Sequence, residues 1–96
     1  MAIAHSYAMT AREGSEEALG TALDALAAAV KGIAGSQGTI VLNDRKEPQK
    51  FLFIELWDST ESRKAAGSQL PREVMGAIMA ALGGPLQMAD YDRRGA

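Results

Sequence analysis

FLFIELWDSTES, Phe51 to Ser62, is an apolar run broken by one carboxylate, Glu55, and closed by the chain's only tryptophan, Trp57, after which the residues turn polar. Alternation with a period of two puts Phe51, Phe53, Glu55 and Trp57 on one side of a strand and Leu52, Ile54 and Leu56 on the other. Both sides are apolar, unlike a strand with one face in water, so its sheet is expected to be covered twice. The switch after Trp57 reads as a strand-to-helix junction. Asp58 or Ser59 is placed to cap the helix, and Asp58 with Glu61 has the spacing of a capping box.

Upstream, Ala2 to Thr10 alternates, with Ile3, His5, Tyr7 and Met9 on one face and the small residues Ala2, Ala4, Ser6 and Ala8 on the other. That is a second strand. Arg12-Glu13-Gly14 makes a turn, Ser15 is an N-cap candidate, and Glu16 and Glu17 suit the positive end of a helix dipole. Leu19, Leu23, Leu26, Val30 and Ile33 then form one helical stripe among alanines that permit close packing, ending near Gly32 and Gly35. Thr39 to Asn43 reads as a short β-branched strand joined through polar residues 43–48 to the Phe51 strand in an antiparallel hairpin.

Downstream, Gly67-Ser68 interrupts the helix after Trp57, and Pro71 suits the first turn of another. Val74, Met75, Ile78, Met79 and Leu82 form its predicted apolar stripe, stopped by Gly83-Gly84-Pro85. Leu86 to Asp92 is a last strand, with Arg93 to Ala96 read as a frayed tail. The order β-α-β-β-α-β predicts an α+β, ferredoxin-like antiparallel sheet with helices on one face, a single domain over residues 1–96. Leu52, Ile54 and Leu56 then face away from the helices, and a second copy of the chain packed sheet to sheet would cover them.

Composition narrows the function classes. With 96 residues, a net charge of −2 and both signs interspersed, the chain offers no basic face for nucleic acid and no polybasic membrane anchor. It has no cysteine, hence no thiolate nucleophile, disulfide framework or cysteine-built metal site, which suits a reducing compartment. With one histidine, a protein-built transition-metal site is not expected. No leader pattern or bilayer-length apolar segment is seen, so a soluble, cytoplasmic protein is expected.

The succession of a strand, the REG turn at Arg12 to Gly14, a helix, GSQGTIVLND at Gly35 to Asp44 and QKFLFIELWDSTESRKAA at Gln49 to Ala66 resembles the antibiotic biosynthesis monooxygenase family of dimeric α/β-barrel proteins. Glu55-x-Trp57-x-Ser59 before a capped helix carries most of the likeness. The resemblance implies a homodimer with a pocket in each subunit between sheet and helices. It also implies oxidation of polycyclic aromatic substrates without metal, flavin or other cofactor, alongside related members that degrade haem. In such proteins a tryptophan at the Trp57 position lines the pocket, a polar residue of the first strand reaches into it, and a histidine often follows the short helix. This chain departs at the last two points: Gly67 stands about where the histidine would be, and Tyr7 about where the haem-degrading branch has asparagine.

Trp57, His5 and Tyr7 are therefore the candidate catalytic residues, with no cofactor-binding or metal-binding residue assigned. His5 and Tyr7 share a face by alternation and with Trp57 would surround a small aromatic molecule, His5 acting as base on a phenol and Tyr7 as donor. Each has an ordinary structural reading as well. Trp57 would serve as core, His5 as a structural strand residue, and Glu55 as the ion-pair partner of an arginine such as Arg63. Met75, Met79 and Met88 suit an adaptable lining or plain core. The expected function is a cofactor-independent monooxygenase acting on a small aromatic or polyketide-like substrate; the alternative is a noncatalytic dimeric binding protein of the same fold. RNA binding on the sheet is excluded by the missing glycine-aromatic pattern.

Overall fold

The computed structural model describes residues 2–94. The elements run β1 (Ile3–Thr10), α1 (Glu16–Lys31), β2 (Ser36–Asn43), β3 (Lys50–Trp57), α2 (Thr60–Ala66), a 3₁₀ turn (Gly67–Gln69), α3 (Arg72–Ala81) and β4 (Gln87–Asp92). The strands form one antiparallel sheet in the order β2-β3-β1-β4, the α+β ferredoxin-like arrangement expected from the element sequence.

The two central strands set the rest. Pairing of β1 with β3 places Ile3 opposite Trp57, His5 opposite Glu55 and Tyr7 opposite Phe53, so alternation delivers all six to the helix-covered face. The predicted α1 stripe is buried in full: Leu19, Leu23, Leu26, Val30 and Ile33 seal against Phe51, Phe53 and Trp57. Each such burial is worth about 1.5–3 kcal/mol, which explains why a helix so rich in exposed alanines holds its position. On the other face of the sheet Leu52, Ile54 and Leu56 are half-buried, while Ile40, Leu42 and Tyr91 are exposed. Among the described residues no helix is long and apolar enough to cross a membrane.

Several details differ from the sequence expectation. Strand β2 starts at Ser36, three residues early, because an irregularity between Ser36 and Gly38 lets the chain join the sheet sooner, with Gly38 at φ +114°. Ser15 holds the N-cap position of α1 but makes no side-chain cap; Glu16 instead accepts the Gly14 N–H. Ser59 caps α2 by accepting from the Ser62 N–H, so the Asp58–Glu61 box does not form. The α-helix ends at Ala66 as expected, with Gly67 to Gln69 turning on as the 3₁₀ turn, and Pro71 lies just before α3 as its N-cap rather than in its first turn. On α3, Ile78 and Ala81 are buried and Met79 is exposed, as is Met88 on β4, so neither methionine is core. Arg93 is tied down, its N–H to the Ala2 carbonyl and its guanidinium to the Gln37 side chain; Arg94 is exposed, and Gly95 and Ala96 of the predicted tail lie outside the described residues.

Gly35 joins the end of α1 to the start of α2. It sits at φ +89°, its carbonyl accepts the Asp58 N–H, and a Cβ built on it would collide with the Ser62 side chain and approach the Asp58 carboxylate. Gly35→Ala should lower stability by about 1–3 kcal/mol from backbone strain alone. In urea unfolding, Gly35→Ala combined with Ser62→Gly should be less destabilised than the sum of the two single changes; strict additivity would show that the collision is not felt.

Candidate functional site

The carboxylate that interrupts β3 is buried, with Glu55 only 3% exposed. Its Oε1 accepts the Trp57 indole N–H at 3.1 Å. Two residues apart on one strand, the pair share a face, so the donor that Glu55 needs is supplied by its own strand. Glu55 is therefore not the direct ion-pair partner of Arg63 that the sequence suggested. Burial pushes its carboxyl above the ordinary carboxylate value, opposed by the indole hydrogen bond and by the nearby Arg63 charge. Among the described residues no second donor reaches the carboxylate and no side-chain polar atom is both sealed and unpartnered, so Oε2 opens on a cavity.

That cavity, of about 250 Å³, is bounded by Tyr7, Glu55 and Trp57 from the sheet, Arg63, Lys64 and Ala66 from α2, and Gly67 and Leu70 beyond it. Tyr7 stands edge-on to the His5 ring, with centroids 4.6 Å apart, and tilts against Phe53. Burial and the charge of Glu55 push the Tyr7 hydroxyl up to about 12, so it remains a protonated donor at neutral pH. Of the three residues singled out from sequence, Trp57 and Tyr7 line this cavity.

His5 does not. Its ring is 1% exposed and lies behind Tyr7, held from both sides. Nδ1 is 2.6 Å from Asp90 Oδ1, and Nε2 is 2.9 Å from Arg63 Nη2. A guanidinium can only donate, so Nε2 is the acceptor and Nδ1–H donates to Asp90, which fixes the neutral ring in one tautomer. Arg63 Nε also lies 3.7 Å from Asp90 Oδ1. Asp90, His5 and Arg63 thus form a chain of polar contacts from the edge strand β4 across β1 to α2. Asp90 was not singled out in the sequence. Its signal is present, because alternation in β4 puts Asp90 on the helix face and the fold's strand order puts β4 beside β1, opposite His5. Among the described residues no group of three or more His, Cys, Asp or Glu side chains is arranged to hold a metal ion.

Comparison with known proteins agrees with this fold. The sequence model of a family described as "Antibiotic biosynthesis monooxygenase" matches residues 2–68. SnoaB, a cofactor-independent oxygenase from Streptomyces nogalater, superposes with a TM-score of 0.86 at 15% identity over 99% of this chain and 95% of its own. A candidate antibiotic biosynthesis monooxygenase from Chloroflexus aurantiacus superposes at 0.82 with 25% identity, over 100% and 96% of the two chains. A Mycobacterium tuberculosis protein gives 0.84 at 14% identity, over 100% and 98%. Comparison with curated protein sequences gives no match.

Burial of Glu55, only partly offset by the Trp57 bond, makes stability depend on pH. Because the folded-state pKa of Glu55 is raised above 4.5, its contribution is complete below that value and is lost as pH rises through the folded pKa. Glu55→Gln should flatten that decline. Trp57→Phe removes the donor that the ionised carboxylate uses, so it should cost about 1–3 kcal/mol more at pH 8 than at pH 4, read from urea midpoints. An equal cost at both would show that the bond does not favour the ionised form.

Proposed function

This chain belongs to the antibiotic biosynthesis monooxygenase family, and on that footing we propose that it is a cofactor-independent monooxygenase acting on a small aromatic substrate with an acidic hydroxyl, bound in the cavity beside Trp57. The observation that carries the reading is Glu55, a buried carboxylate with a raised pKa, one oxygen held by Trp57 and the other open to the cavity. Glu55 takes the base role, since the His5 Nε2 is engaged by Arg63. His5 acts as a positioning residue. Tyr7 donates to the oxygen that gains negative charge, and Trp57 both walls the cavity and orients the base.

In this reading Glu55 removes the hydroxyl proton, and the phenolate gives electron density to its para carbon, which bonds to dioxygen to form a peroxide. The peroxide oxygen takes up a proton. Glu55, having returned its first proton to the peroxide, then removes the hydrogen on that carbon, the O–O bond breaks with loss of hydroxide, a carbonyl forms, and the hydroxide takes the Glu55 proton and leaves as water. Phenol plus dioxygen gives quinone plus water, and the substrate supplies all four electrons, so the step needs no external reductant. A noncatalytic binding protein is the second reading, favoured by Gly67 at the place where the family resemblance leads one to look for a histidine.

The second part of the proposal is a homodimer formed through the open sheet face, supported by exposed Ile40, Leu42 and Tyr91 beside half-buried Leu52, Ile54 and Leu56. Obligate interfaces of this kind bury roughly 2,000 Å² or more in total.

Oxygen uptake should be measured with a panel of single-ring phenols that carry hydrogen at the para carbon, subtracting the rate without protein. Uptake matched by formation of quinone is expected, rising with pH as Glu55 ionises, and falling about 100-fold or more in Glu55→Gln. Saturable binding without uptake would leave the binding-protein reading. Sedimentation at micromolar concentration should show a dimer; a folded monomer would remove the sheet-to-sheet assembly.

A further inference from the structure

The polar chain behind the cavity leads to the substrate's charge. Arg63 has five N–H donors, of which one at Nη2 is given to His5 and the Nε lies 3.7 Å from Asp90. Its remaining donors have no other partner among the described hydrogen bonds, and the side chain, 26% exposed, forms part of the cavity wall with Lys64 next to it. Asp90, the acid nearest to Arg63, is bonded to His5, approaches only the Nε edge of the guanidinium at 3.7 Å and is 60% exposed, so the Nη1 and Nη2 side of the fork is left to the cavity. The α2 side of the cavity is thus cationic, while the opposite wall carries Glu55 and the aromatic rings of Tyr7 and Trp57.

This cation is held in place. Asp90 fixes the His5 tautomer, and the His5 Nε2 lone pair in turn fixes one edge of the guanidinium plane. A planar fork whose orientation is already set loses little freedom when it captures a planar anion, and it matches a carboxylate with two parallel hydrogen bonds. At about 250 Å³ the cavity lies below the roughly 300–1,000 Å³ typical of sites for drug-sized ligands, so it suits a single ring with small substituents.

From this we infer that the substrate is an aromatic acid, its carboxylate held by Arg63 and its ring set between Tyr7 and Trp57, with Arg63 as the residue that selects acids over neutral phenols. The inference rests on the cavity being the substrate site proposed above. It does not rest on turnover.

The test is equilibrium binding at pH 7.5, read through the fluorescence of Trp57, the only tryptophan. Probes are 3-hydroxybenzoate, which leaves the carbon para to the hydroxyl free for oxygen, and its uncharged isostere 3-hydroxybenzamide. The acid should bind about 10-fold to 100-fold more tightly than the amide, the range of one charge-assisted contact. Arg63→Gln should bring the two to parity and Arg63→Lys should keep part of the preference, with circular dichroism confirming the fold. Equal binding of acid and amide by the unaltered protein, which needs no variant, would overturn the inference. So would a preference that survives Arg63→Gln, one lost only in Lys64→Gln, or no binding of the acid up to millimolar concentration. Failure of oxygen uptake with the acid preference intact would sink the oxygenase reading and leave Arg63 as an anion site.

Discussion

A carboxylate placed under helices must find a donor, and here the donor lies two residues further along the same strand. The Trp57 N–H bond to Glu55 lets β3 carry a charge-capable group into the covered face without another element to neutralise it. The arrangement then leaves Arg63 free of Glu55. It is available to His5 and to the cavity, and the site divides into an acidic and aromatic wall on the sheet and a cationic wall on α2. Had Glu55 and Arg63 paired directly, the two groups with the most chemistry in the cavity would have cancelled each other.

The sheet order makes this division possible. In the arrangement β2-β3-β1-β4, the two central strands supply Tyr7, Glu55 and Trp57, while the edge strand β4 supplies Asp90, whose side chain remains largely in water. Polar contacts therefore run from solvent at one edge, through the buried imidazole, to the cavity side of α2. A neutral ring with a fixed tautomer can occupy such a position at little electrostatic cost, whereas a second buried charge would need its own partner.

Much of this was legible in the sequence. Period-two alternation in residues 51–57 and 3–9 identified the shared face of Glu55, Trp57, His5 and Tyr7, and the leucine stripe of α1 was buried as read. Alternation and helical spacing are local geometry, fixed once the element type is known. What sequence could not supply was rotation and register. Which residue caps α2 decides where Arg63 points, and Ser59 rather than Asp58 took that role because its hydroxyl accepts the Ser62 N–H. The depth of α3 depends on how closely it approaches α1; the small Ala81 is buried where a purely periodic reading favoured Met79. The His5–Asp90 contact joins residues 85 positions apart and becomes visible only when β4 is laid beside β1.

Gly35 gives the site a lever outside itself. The turn after α1 is pressed against Ser62, the residue immediately before Arg63, and its carbonyl anchors the peptide at Asp58. The position of α2, and hence the reach of the guanidinium, is inherited from a turn that lines no part of the cavity. Diversification of ligand preference in chains of this kind therefore has a route that leaves every lining residue unchanged. Small adjustments in the length or bulk of the α1–β2 turn would slide or tilt α2 and retune the gap between cation and ring, so residues in that turn should drift in concert with residue 62 as lineages change what they accept.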